Sequence, residues 1–140
     1  MSDLGFIEQS GVIPYRFKKG KLEVMLVTAR RRNRWVIPKG LIPWQMTPAD
    51  SASKEAWEEA GIWGEIAAMP LGCYEDRKWG LPALVTVYPL AVEHVLDVWP
   101  EMRLRRRKWF SLGKAIKRAK RIELQELLAA LPAFLARQEG

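Results

Sequence analysis

The chain has 140 residues, 49% of them hydrophobic, and 23 Lys and Arg against 16 Asp and Glu give a formal net charge of +7. That length suits one domain with a real core, expected over residues 1–140, and no apolar run approaches the ~18 residues of a membrane helix, so no membrane partner is expected. One cysteine, Cys73, and one histidine, His94, exclude an internal disulfide and a Cys/His metal site.

The N-terminal MSDLGFIEQS lacks the basic and apolar regions of a signal peptide, and with the lone cysteine it points to a reducing, cytoplasmic setting. SGVIPYRF and LEVMLVTA, separated by KKGK, read as two strands of a hairpin with a Gly-containing turn. RRRNRWVIPKGLIPW, basic and proline-bearing, reads as a loop. A helix over about 48–60 follows, with Thr47 as N-cap, Pro48 at its first position, Asp50 three residues past the cap and Gly61 as C-terminal cap. Ile62–Tyr74 and Pro82–Val92 read as strands, Pro82 and Pro89 predicting that the second is edged, bent or bulged. RRRKWFSL reads as a short strand. GKAIKRAK and ELQELLAALPAFLARQ read as helices, the latter amphipathic through Leu124, Leu127, Leu128 and Leu131, with Pro132 predicting a kink or division. The order implies a mixed α/β (α+β) domain and not a regular βαβ alternation. Cys73 is expected in the core and His94 on the surface or in a strand.

Within the first helix, Ala49, Ala52, Ala56 and Ala60 form one stripe at 100° per residue, with Glu55 and Glu59 beside it and Glu58 flanking them. Small side chains let a helix approach its neighbours, so the stripe is expected to face inward and the glutamates to sit at the border of the core. Carboxylates removed from water need a counter-charge, and a divalent cation is the strongest available. Oxygen-only ligands favour Mg²⁺ or Mn²⁺. The three residues alone suit an acidic helix surface balanced by Arg and Lys somewhat better. The positive charge clusters in ARRRNR, RLRRRK and KAIKRAKR, which suits a polyanionic partner as well as a solvated basic face.

The flanking residues carry a resemblance. GLIPWQMTPADSASKEAWEEAGI, Gly40 to Ile62, resembles the Nudix box, Gly-x5-Glu-x7-Arg-Glu-U-x-Glu-Glu-x-Gly-U with U aliphatic. Gly40, Glu55, Glu58, Glu59, Gly61 and Ile62 match in place, and Ala56 stands for the first U. Met46 replaces the first Glu and Lys54 the Arg, two side chains that commonly pair in the family. Losing both together strands no buried charge. Arg34-Trp35, Pro38-Lys39-Gly40 and Trp109-Phe110 extend the similarity to the diadenosine and diphosphoinositol polyphosphate hydrolase branch. The implied fold is a mixed β-sheet sandwiched between helices.

The resemblance implies a divalent-metal-dependent hydrolase that cleaves a diphosphate linkage by attack of metal-activated water. It implies Glu55 and Glu59 as metal ligands, helped by Glu58 and the Gly40 carbonyl, with Glu58 as general base. Arg30, Lys39, Arg105 and Arg107 are then the candidate phosphate ligands, the last two alternating toward one face. Trp35 and Trp109 read as core. Trp44 and Trp79 also read as structural, with stacking on a nucleobase as the alternative. Diphosphoinositol-type members carry basic residues before the first strand, where this chain has FIEQSG. A dinucleoside polyphosphate is therefore favoured. The alternatives are a catalytically weak regulator that binds nucleotide or nucleic acid, and a pyrophosphohydrolase acting on RNA 5′ ends.

Overall fold

The computed structural model describes residues 5–30 and 33–139. Strands β1 (Ile7–Lys18) and β2 (Lys21–Thr28) form the expected hairpin. Its turn places Lys19 at φ 52° and Gly20 at φ 77°, the paired left-handed conformation that matches the twist of the flanking strands. The basic segment expected as loop contributes two short strands, β3 (Trp35–Val36) on β2 and β4 (Lys39–Leu41) on β1. Only pairing partners distant in sequence make such short segments extended.

Helix α1 (Pro48–Ala60) has the expected bounds: Thr47 Oγ1 accepts from the Asp50 amide, and Gly61 closes the helix at φ 64°. Strands β5 (Ile62–Ile66) and β6 (Gly72–Lys78) divide the stretch expected as one strand, and both pair with β7 (Leu81–Val95). Strand β8 (Arg107–Ser111) then lies on β2, followed by α2 (Leu112–Ala119) and α3 (Ile122–Glu139). Sheet order is β3-β2-β1-β7-β5, with β1 and β7 parallel at its centre.

Alternation along β1 divides the core. Val12 packs with Ala52, Ala56 and Ala60 of α1, whereas Ile13 packs on the opposite face with Ala115 of α2 and Leu124, Leu128 and Leu131 of α3. The fold is thus a mixed sheet between α1 and the α2–α3 pair. Each fully buried leucine contributes roughly 1.5–3 kcal/mol relative to exposure.

Three expectations change. Strand β7 is central and not an edge. Pro89 sits where the second side of β7 passes from β6 to β5, so its missing N–H falls between the Gly72↔Val87 and Ile66↔Leu90 pairs. The strand is bulged, one of the expected alternatives: consecutive Trp63 and Gly64 pair with His94 and Val92, leaving Glu93 of β7 as the extra residue. Pro132 does not divide α3, which runs as one helix. Cys73 is exposed, because alternation on β6 turns Tyr74 inward in its place. His94 is exposed near the end of β7, stacked on Trp63 at 4.2 Å.

Candidate active site

The alanine stripe brings α1 close to the sheet, and the Ser51 hydroxyl donates to the Leu41 carbonyl at 3.2 Å, tying the helix to β4. Glu59, next to the stripe, is consequently only 6% exposed. Its Oε1 accepts the Lys39 amide at 3.3 Å, and the Arg105 guanidinium stands 3.7 Å from Oε2. Burial pushes the Glu59 carboxyl up to about 8; Arg105 opposes the shift, while Glu55 and Glu101 add to it. Burial also raises Glu55, and the Glu58 charge adds to that.

Gly40 of β4 faces this cluster. A Cβ there would stand 2.2 Å from Glu55 Oε1, so the carboxylate occupies the space that any side chain at position 40 would fill. Glu58 is half-buried and pairs with Lys54 at 2.8 Å, one helical turn back. Lys54, at the box position where Arg is usual, thus has a partner in this chain.

The expected phosphate ligands divide into two pairs. Arg105 and Arg107 do turn toward α1, as alternation implies, but both meet protein acceptors there. Arg105 precedes β8; its Nε donates to Glu101 at 2.8 Å and its Nη1 to the Thr28 carbonyl at 3.0 Å. Arg107 donates to the Ala60 carbonyl at 2.7 Å and the Leu96 carbonyl at 2.5 Å. Arg107 thus bonds to the last carbonyls of α1 and Arg105 stands as counter-charge to Glu59, while both also line the cleft that holds Arg30 and Lys39.

Arg30 is exposed, and the Lys39 ammonium stands 3.2 Å from Asp76 and 3.3 Å from the Gln9 side-chain oxygen. Both line a cleft of about 730 Å³ that runs from Glu59 to the α2–α3 junction at Arg121. Its charged lining is mostly Arg and Lys, with Glu59 and Asp76 as the acidic groups. Burial alone would raise Asp76, but Lys39, the Arg77 amide and Arg121 outweigh it and hold the carboxyl below its ordinary range. Arg31 and Arg32 lie outside the described residues.

Sequence reasoning passed over Glu101 and Trp99. Neither belongs to a periodic pattern, and only the segment's return onto α1 makes them neighbours of the glutamates. Trp35 and Trp109 pack partly buried against the two cores, as expected. Trp44 and Trp79 are 95% and 72% exposed, which corrects their structural reading.

Residues 8–131 match the family described as NUDIX domain. The chain belongs to that family. The Nudix box spans β4, the loop after it, α1 and the first residue of β5. Nudix hydrolase 21, chloroplastic, of Arabidopsis thaliana is 31% identical over 96% of this chain and 69% of its own length. Diphosphoinositol polyphosphate phosphohydrolase 2 of Rattus norvegicus is 29% identical over 81% of this chain and 63% of its own. The crystal structure of C. elegans Ap4A hydrolase superposes with a TM-score of 0.77 at 27% identity, covering 93% of this chain and 98% of that one. The Nudix chain is thus a hydrolase with Ap4A and diphosphoinositol polyphosphate hydrolases among its relatives.

Nudix hydrolases generally use divalent metals, and the residues here fit one. Glu59 is buried, Glu55 is pressed into the Gly40 cradle, and the charges of Glu55 and Glu101 push the Glu59 carboxyl up, an effect that a cation would offset. Among the described residues, no three acidic, thiol or imidazole groups converge into an ion cage. A cation here would complete its shell with carbonyl, water or phosphate oxygens, as Mg²⁺ commonly does.

Proposed function

We propose that this chain is a Mg²⁺- or Mn²⁺-dependent diphosphate hydrolase acting on a dinucleoside polyphosphate, with residues 1–140 working as one Nudix domain. The observation that carries the reading is that Glu59, on the carboxylate-bearing helix α1, lies at one end of a long cleft lined mostly by Arg and Lys. Carboxylates hold cations but repel phosphates; the basic cleft does the reverse. The two together suit a substrate whose phosphates extend away from the scissile bond.

In this proposal Glu55 and Glu59 hold the ion, with Glu58 and the Gly40 carbonyl contributing. Bound there, the ion neutralises diphosphate oxygens and lowers the pKa of water. Glu58 takes the proton from attacking water, and its partner Lys54, whose ammonium is near the surface, can release the carboxylate for that task. Lys39, held between Asp76 and Gln9, presents its ammonium to phosphate oxygens on the cleft floor, and Arg30 binds phosphates further out.

The setting proposed is cytoplasmic, as the sequence suggested, although relatives include chloroplastic and mitochondrial proteins. No described helix is long and apolar enough to cross a membrane. The deciding experiment measures product release from a panel of nucleoside diphosphate compounds, dinucleoside polyphosphates and 5′-triphosphorylated RNA, with Mg²⁺ or Mn²⁺ and with chelator. Metal-dependent cleavage that favours dinucleoside polyphosphates supports the reading. Tight nucleotide binding without turnover would identify a regulator, and preference for the RNA would identify a 5′-end pyrophosphohydrolase.

A further inference from the structure

The last carbonyls of a helix have no partner within it. In α1 those of Glu58, Glu59, Ala60 and Gly61 are all taken by one returning segment. The Glu101 amide donates to Glu58 at 3.0 Å and the Leu96 amide to Gly61 at 2.8 Å. The Trp99 indole N–H donates to the Glu59 carbonyl at 3.1 Å, and Arg107 to that of Ala60 at 2.7 Å. Arg107 also lies over the Trp99 ring at 3.8 Å and bonds to the Leu96 carbonyl, so the donors brace one another. Gly61 serves the same arrangement. A Cβ there would stand 2.7 Å from Trp99 and 2.8 Å from Arg107.

Roughly a third to a half of helices close on a left-handed residue, usually glycine. This end has in addition an indole and a guanidinium, and the carbonyls they reach belong to Glu59 and the residue after it. The same segment carries Glu101 and Arg105, which face the Glu59 carboxylate. Shifts of the last turn would therefore move the base, the ion ligand and the counter-charge together, and misplacement by ~1 Å can cost about 100-fold in rate.

We propose that Trp99 and Arg107 are positioning residues for the hydrolysis: a stacked clamp on the C-terminal carbonyls of α1 that sets where Glu58 and Glu59 stand relative to Glu101 and Arg105. This rests on the roles assigned above to Glu58 and Glu59.

Trp99→Phe keeps an aromatic ring under Arg107 and removes only the N–H donor; Arg107→Met removes the cap, and Arg107→Lys keeps the charge with fewer donors. Steady-state kinetics on a dinucleoside tetraphosphate with Mg²⁺, melting temperature and amide hydrogen exchange would be measured on each. The expected losses in kcat are about tenfold for Trp99→Phe and up to about 100-fold for Arg107→Met, the range seen when groups supporting a metal site are removed. KM should stay within about twofold, and Arg107→Lys should recover part of kcat. The Leu96 and Glu101 amides should exchange faster while β1 and β7 amides do not. A lower melting temperature with unchanged kcat per folded molecule would overturn the proposal in favour of a purely structural cap. A raised KM in Arg107→Met with a silent Trp99→Phe would overturn it in favour of a phosphate ligand. Wild type without metal-dependent turnover would overturn the functional reading and the positioning role with it. An active wild type matched by Trp99→Phe and Arg107→Met would overturn the clamp alone.

Discussion

Glu59 shows how one residue's chemistry depends on its surroundings. A glutamate that a helical wheel places at a border is buried because three alanines let the helix sink onto the sheet. Its charge is then expensive unless a cation arrives, and Arg105 at 3.7 Å compensates only in part. Glu59→Gln keeps the shape and removes the charge. It is expected to abolish most Mn²⁺ affinity and lower turnover by orders of magnitude while the fold persists, measured by calorimetry beside kinetics. Glu58→Gln is expected to differ in kind: metal affinity largely kept, kcat lower by about 10²–10⁴ through loss of the base. Equal metal affinity in Glu59→Gln, or near-normal kcat in Glu58→Gln, would remove the corresponding role.

At the scale of elements, α1 is specified at both ends. Thr47 caps its first turn at 3.1 Å from the Asp50 amide, and replacement by Ala should cost about 1 kcal/mol. Gly61→Ala should cost more than an ordinary cap change, because a left-handed φ and close contact with Trp99 and Arg107 combine. Chemical denaturation of the two variants would rank them. Asp76 links elements in another way, joining β6 to Lys39 on β4 at 3.2 Å and to Arg121 before α3 at 2.7 Å. Its carboxyl is held below the ordinary value of 3.8, so the folded state binds its proton less readily than the unfolded chain does. The stability it contributes is present above about pH 3.8 and is lost as pH falls through the depressed folded value. Asp76→Asn should therefore melt below wild type at pH 5–8, with the difference shrinking below about pH 4.

For the whole molecule, the net charge of +7 is gathered unevenly. The basic clusters, far apart in the chain, converge on one cleft, where Arg30 is exposed while Arg105 and Arg107 hold protein groups. That division makes a prediction about phosphate number. Arg30→Ala should lose more kcat/KM on dinucleoside tetraphosphates and longer than on a nucleoside diphosphate sugar, by about 10-fold or more if the contact is charge-assisted. Arg107→Met should lose activity by a similar factor on every substrate. A flat Arg30→Ala ratio along the series would return Arg30 to the solvated surface.

Local patterns determined much of this protein from the sequence alone. The hairpin, the bounds of α1, its buried alanine stripe and the Nudix box were legible because each rests on neighbours within a turn or a strand. So was the mixed α/β class, which follows from the order of those elements. Tertiary structure decided what depends on long-range pairing: the central place of β7, the short strands β3 and β4, and the outward turn of Cys73. It also decided which protein groups Arg105 and Arg107 meet. Alternation told that Arg105 and Arg107 share a face, but whether a guanidinium meets phosphate or protein depends on which acceptors the fold leaves free. The return of Leu96–Arg107 onto the end of α1 supplies those acceptors, and no pattern within the segment records it.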